Sequence, residues 1–107
     1  MRIGVDVEQV RRFRKFKRSS AFVRRYYSPH EIAYCYSKPH PFLHLAARFA
    51  AKEAYFKASG SKTSFSKIEV RNGASGKPFL WVNGKKSTAQ VSLSHSPHCA
   101  FAAVALP

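Results

Sequence analysis

Apolar and polar residues alternate strictly over residues 2–8, Arg-Ile-Gly-Val-Asp-Val-Glu. Ile3, Val5 and Val7 fall on one face; Arg2, Gly4, Asp6 and Glu8 fall on the other, which predicts a half-buried strand of period two. Gly4 is expected to leave a gap beside Asp6 where a ligand approaches the backbone. The spacing then turns helical over residues 9–18. Val10, Phe13 and Phe16 recur at intervals of three, and Arg11, Arg14, Lys15 and Arg18 share another face. Ser28-Pro29 reads as an N-cap followed by proline at the first helical position, with Glu31 at the third. The helix this opens runs over about 29–36 and is broken by Lys38-Pro39-His40-Pro41. Residues 43–58 carry the strongest helical signal, with alanine at 46, 47, 50, 51, 54 and 58 and Gly60 placed as a C-terminal cap. A polar loop is expected at 61–66. Short strands are expected at 67–71, 79–82, 90–94 and 99–106, separated by Asn72-Gly73, Ser75-Gly76-Lys77-Pro78 and Asn83-Gly84. The order predicts an α+β fold: a small antiparallel sheet packed with a long Ala-rich helix, as one domain over residues 1–107.

Composition supports a packed core, since 45% of the 107 residues are hydrophobic and 14% aromatic. A domain of this size buries a limited share of its surface, so association of copies is a natural source of stability. No apolar run approaches the ~20 residues of a membrane span, and no leader pattern follows Met1-Arg2, so a soluble, cytoplasmic protein is expected. Charge changes the picture more. Nineteen basic residues against five acidic give +14, which implies an anionic partner without naming it. Cys35 and Cys99 lack metal-binding spacing and are expected to be reduced, largely buried thiols.

With so few acids, their positions matter. Asp6 and Glu8 share a face of the first strand. Glu53 lies on the Ala-rich helix with Lys57 one turn on. An exposed helix ion pair is the plain reading of Glu53–Lys57, and a solvated strand face that of Asp6 and Glu8. Against these stands the chemistry of a hard cation such as Mg²⁺, which takes one or two carboxylates plus waters and phosphate oxygens. Glu53 would complete that set if its helix packs near the first strand of its own chain or of a neighbouring subunit. In Val91-Ser-Leu-Ser-His-Ser96 the serines share one strand face, and Val91, Leu93 and His95 share the other.

Three segments, Gly4-Val5-Asp6-Val7-Glu8, Arg48-Phe-Ala-Ala-Lys-Glu-Ala-Tyr-Phe-Lys-Ala-Ser-Gly60 and Ser92-Leu-Ser-His-Ser96, together resemble the signature motifs of the 4'-phosphopantetheinyl transferases. Phe42 to Gly60 is most similar to the holo-[acyl-carrier-protein] synthase branch, and the order of elements agrees over nearly the whole chain. The resemblance implies transfer of the phosphopantetheine arm of coenzyme A to a serine of an apo acyl carrier protein, with adenosine 3',5'-bisphosphate as the other product. It implies that Asp6 and Glu53 hold Mg²⁺, that Lys57 contacts the pyrophosphate, and that His95 and Ser96 line the coenzyme A site. It also implies a homotrimer with active sites between subunits, so that Asp6 of one chain would meet Glu53 of another. Arg48, Gly60, Lys62, Lys77 and Pro78 complete the expected coenzyme A contacts. Glu53, or a water that it orients, is the expected base for the serine. Acyl carrier proteins are acidic, and Arg11, Arg14, Lys15 and Arg18 offer the complementary docking charge, which Arg24 and Arg25 would extend. Phe13, Phe16 and Phe22 could seat against an apolar patch of the carrier, but they are expected in the core.

Two features depart from the pattern. The connection 83–89 is short where relatives carry a helix. Glu8 stands where larger transferases carry a third metal-binding acid, and it is read here as a surface acid. A nucleic-acid-binding module would also explain +14 with interleaved aromatics. That alternative gives Asp6, Glu53 and Lys57 no reason to be where they are.

Overall fold

The opening alternation builds β1 (Arg2–Gln9) in the computed structural model, which describes residues 1–107. β1 pairs antiparallel with β6 (Cys99–Leu106), and β6 pairs with β5 (Gln90–His95), giving the order β1-β6-β5. A second antiparallel sheet joins β2 (Ile68–Asn72), β3 (Pro78–Val82) and β4 (Lys85–Lys86). Between β1 and β2 lie three helices: α1 (Ala21–Tyr26), α2 (Pro29–Tyr36) and α3 (Pro41–Ser59). The architecture is α+β, with α3 laid across one face of the first sheet.

Alanine spacing explains that packing. Ala50, Ala51, Ala54 and Ala58 form the face of α3 buried against Val91, Ala102 and Val104 of β5 and β6, with Val70 and Leu80 closing the layer from the second sheet. Small side chains let helix and sheet backbones come close. At Gly4 the approach is closest: a Cβ built there would lie 1.9 Å from the Ala54 carbonyl oxygen. The gap expected beside Asp6 is therefore filled by α3 itself.

β1 is half-buried, as its period requires, but the buried half is the polar one. Gly4 is buried under α3, whereas Ile3, Val5 and Val7 are 64%, 61% and 53% exposed. Phe101 of β6, opposite Val7, extends this open apolar face.

A second core is aromatic. Phe13 is fully buried among Phe16, Phe22 and Phe49, and Phe16 stacks on Phe22 at 4.2 Å. The expected helix over 9–18 does not form. β1 runs to Gln9, a single 3-10 turn covers Val10–Phe13, and the next helix begins only at Ala21, capped by Ser20. The interval of three between Val10 and Phe13 suits three residues per turn better than 3.6. The eight cations of 11–25, with no acid among those residues, also disfavour a longer helix.

Most other local signals hold, although a 3-10 turn over Phe65–Lys67 takes the end of the loop expected at 61–66 and the start of the strand expected at 67–71. Ser28 caps α2 with Glu31 closing the capping box and Pro29 at its start. α3 ends on Gly60 in the left-handed region, φ +67°. Asn83 and Gly84, both at positive φ, make the two-residue turn from β3 to β4, so the short 83–89 connection is a hairpin rather than a helix. Glu31 does more than cap. It is fully buried, pairs with Lys52 of α3, and accepts from the Val70 amide of β2. Lys52 spends its two other protons on the carbonyls of Phe65 and Ile68, which leaves the buried ammonium saturated. Cys35 is buried and Cys99 half-buried, both as free thiols.

Candidate active site

Packing α3 on β1 brings the scarce acids together within one chain. Asp6 and Glu8 project from β1 toward the helix. Lys57 Nζ donates to Asp6 Oδ1 at 3.1 Å and to the Val5 carbonyl at 3.0 Å. Lys57 thus crosses to the strand instead of pairing with Glu53 along the helix. Asp6 Oδ2 is buried and has no hydrogen-bond partner while Glu8 is ionised; a proton on Glu8 is hydrogen-bonded to the Asp6 carboxyl.

Glu8 is not a surface acid. Its side chain is 12% exposed and its Oε1 accepts from the Arg12 guanidinium at 2.7 Å. Burial and then the Asp6 carboxyl push Glu8 from 4.5 up to about 7, with Arg12 opposing. Burial and Asp6 also raise Glu53. Three carboxyls within electrostatic range, two of them resisting ionisation and the third with an orphaned oxygen, form a site short of positive charge. No three His, Cys, Asp or Glu side chains are arranged as a ready-made metal cage. A cation here would rest on few protein oxygens.

This shift has a measurable consequence. Between pH about 4.5 and about 7 the folded chain holds a proton on Glu8 that the unfolded chain has released. The folded state then binds more protons, so stability falls as pH rises through that interval and the loss is complete above it. Glu8→Gln is expected to flatten that part of a thermal-midpoint profile. A variant profile parallel to the wild type would remove Glu8 from the cluster.

A second group lies elsewhere along α3. Arg48, Lys77, Pro78 and His95, four of the expected coenzyme A contacts, line one cavity of about 340 Å³ with Tyr34 and His44. Arg48 is 4% exposed and its Nε has no partner. Its guanidinium lies over the Tyr34 ring at 4.1 Å. His95 lines this cavity together with Ser92 and Leu93, from both expected faces of the strand, and Ser94 is exposed beside it. The acid cluster sits at β1 and this cavity borders β5, and these are the two edge strands of the first sheet.

The remaining expected residues are more dispersed. Gly60 caps α3, and Lys62 is exposed in the following loop. Ser96 Oγ accepts from the amides of His98 and Cys99, holding the turn before β6. Arg11, Arg14, Lys15 and Arg18 are exposed but share no helical face. Arg11 and Arg14 line a cavity of about 320 Å³ beside His98 and Cys99, Arg14 also lies over Phe42 at 4.4 Å, and Arg18 borders a separate groove with Arg24. His44 and Tyr34 were not anticipated. His44 lies one turn before Arg48, which is the one signal in the sequence that it shares that face.

The model of the 4'-phosphopantetheinyl transferase superfamily matches residues 2–105. Holo-[acyl-carrier-protein] synthase of Chlorobium limicola is 38% identical over 113 residues, covering 95% of this chain and 90% of its own. The same enzyme of Chlorobaculum parvum is 41% identical over 110 residues, covering 95% and 94%. Among solved structures, a holo-(acyl-carrier-protein) synthase from Bacillus anthracis in complex with CoA (3',5'-ADP) is similar with TM-score 0.81 at 36% identity, over 96% of this chain and 92% of that one. The Helicobacter pylori enzyme in complex with coenzyme A is similar with TM-score 0.79 at 30% identity, over 95% and 96%. No helix of the chain is long and apolar enough to cross a membrane.

Proposed function

Because the chain belongs to the 4'-phosphopantetheinyl transferase superfamily, we propose that it moves the 4'-phosphopantetheine arm of coenzyme A onto a serine hydroxyl of an apo acyl carrier protein. The serine oxygen attacks the distal phosphorus of the diphosphate, the P–O bond to the bridging oxygen breaks, and adenosine 3',5'-bisphosphate leaves. The observation that carries this reading is the meeting of Asp6, Glu8, Glu53 and Lys57 at the contact of β1 with α3.

The acid set fits a divalent ion such as Mg²⁺: the orphaned Asp6 oxygen and the raised proton affinity of Glu53 are both relieved by added positive charge. Asp6 and Glu53 would hold it. When bound, the ion supplies neutralisation of the diphosphate oxygens. Lys57, already at Asp6, places a mobile point charge for the leaving phosphate. Glu53 is the candidate acceptor of the serine proton, directly or through a water that it orients: burial and Asp6 raise its proton affinity in the free site, and the ion would lower it again when bound. Arg48, Lys77 and His95 offer donors for the phosphates of coenzyme A. Exposed Arg11, Arg14, Lys15 and Arg18, with Arg24 and Arg25, give an acidic carrier protein its docking charge.

The open apolar face of Ile3, Val5, Val7 and Phe101 supports association of copies, because burying it removes a contiguous patch from water, and the resemblance sets the number of copies at three. Association would also let the cavity beside β5 of one copy meet the acid cluster of another. The expected result is a single species of three chains in sedimentation. With Mg²⁺ and coenzyme A, that species adds one phosphopantetheine mass to an apo carrier protein, seen by intact mass spectrometry. Unmodified carriers across several apo proteins would overturn the transfer reading, and a monomer would overturn the assembly.

A further inference from the structure

The cavity at Arg48 is built from donors without an acid among its lining. Arg48, Lys77, His44 and His95 all border it. Arg48 is almost wholly buried and still has an unsatisfied Nε, a cost that a buried guanidinium keeps until an anion arrives. Tyr34 of α2 fixes the two α3 side chains relative to each other. The Arg48 guanidinium lies over its ring at 4.1 Å, and the His44 ring meets it edge-on at 5.6 Å between centroids. Lys38 approaches the same ring at 4.8 Å.

We propose that His44 determines specificity in this chain: with Arg48 it forms a subsite for a phosphomonoester dianion, selecting coenzyme A over the analogue that lacks the ribose 3'-phosphate. The inference rests on the coenzyme A reading above and adds to it a discriminating residue. A phosphomonoester carries about −1.5 to −2 charges at pH 7 on three acceptor oxygens, whereas each diester phosphorus carries one. The fixed pair Arg48 and His44 presents donors from adjacent turns, which suits a compact group of that charge. The groups facing His44 set its proton. Burial and the neighbouring Arg48, Lys38 and His95 hold free His44 below its usual range, so it is neutral before the ligand enters. Lys77 adds to the positive lining, and Tyr34 supplies the ring. A dianion reverses this field, and His44 then donates from both ring nitrogens.

The test is calorimetric binding of coenzyme A and of 3'-dephospho-coenzyme A, without carrier protein, to wild type, His44→Gln and His44→Phe. In wild type the preference for coenzyme A is expected to be stronger at pH 6.5 than at pH 8.5. Both variants are expected to lose about tenfold of that preference at pH 6.5, less at pH 8.5, with affinity for the dephospho analogue unchanged. His44→Phe keeps an aromatic ring against Tyr34, so wild-type preference in that variant would reduce His44 to packing and overturn the proposal. Equal weakening of both ligands would overturn it too. Binding is read without turnover, so a chain that shows the His44 effect but modifies no carrier would sink the transfer reading alone.

Discussion

Glu53→Gln is expected to lower phosphopantetheine transfer by about 10³-fold or more while the chain stays folded. Gln has the same length and can still accept hydrogen bonds, but it cannot carry charge or take a proton. Both proposed roles of Glu53 need one of these: holding a divalent ion, and accepting the serine proton. Loss of a positioned proton acceptor alone costs about 10²–10⁴-fold. Stability should move the other way, if at all. Burial and Asp6 already disfavour the charged carboxylate, so a neutral side chain relieves a repulsion. Unchanged or slightly raised thermal midpoint together with lost transfer, by intact mass of the carrier, is the expected pair of readings. Transfer within tenfold of wild type would remove Glu53 from the chemistry.

What the sequence made legible was local. Ser28-Pro29 with Glu31, the alanine stripe of α3 and Gly60 are signals that act over one or two turns, and each forms the predicted element. Alternation in β1 was legible as two faces but not as to which one is covered. That depends on Gly4 meeting Ala54, fifty residues away, and the winner is the face without a bulky side chain. Ile3, Val5 and Val7 are left exposed on the other face. Similarly, Glu31 reads as a cap from its neighbours, while its ion pair with Lys52 and its bond to Val70 need three elements to converge. The acids of the site were identifiable because they are rare in this chain. The resemblance sets Asp6 against Glu53 of another chain, whereas the contact of β1 with α3 brings them together within one chain; neither that nor the burial of Glu8 behind Arg12 could be read from the sequence. The Arg48 cavity draws on α2, α3 and β5, so His44 gave no sign of its company beyond lying a turn from Arg48.

Gly4→Ala is expected to destabilise the chain by about 3 kcal/mol or more, at or beyond the upper end of ordinary overpacking. For a chain of this length that lowers the thermal midpoint by more than about 10 °C. The added Cβ would lie 1.9 Å from the Ala54 carbonyl oxygen and 2.8 Å from the Ala58 amide nitrogen. Both obstacles are helix backbone, so no side chain can rotate out of the way, and α3 must lift from β1 by more than an ångström. The lift reaches the core, because Ala54 and Ala58 are buried in the same layer as Ala102 and Val104. It also reaches the site. Asp6 lies two residues beyond Gly4, Glu53 flanks Ala54, and Lys57 flanks Ala58, so the substitution separates the very groups that the strand–helix contact assembles. Transfer should therefore fall even at temperatures where the variant remains folded. Truncation at the other side of the contact offers no rescue: Ala54→Gly in the Gly4→Ala background leaves the offending carbonyl in place, and the double variant is expected to be no more stable than the single one. A Gly4→Ala chain with the wild-type midpoint and full transfer would show that β1 and α3 do not pack this closely, and with that the assembly of the acid cluster within one chain would fail.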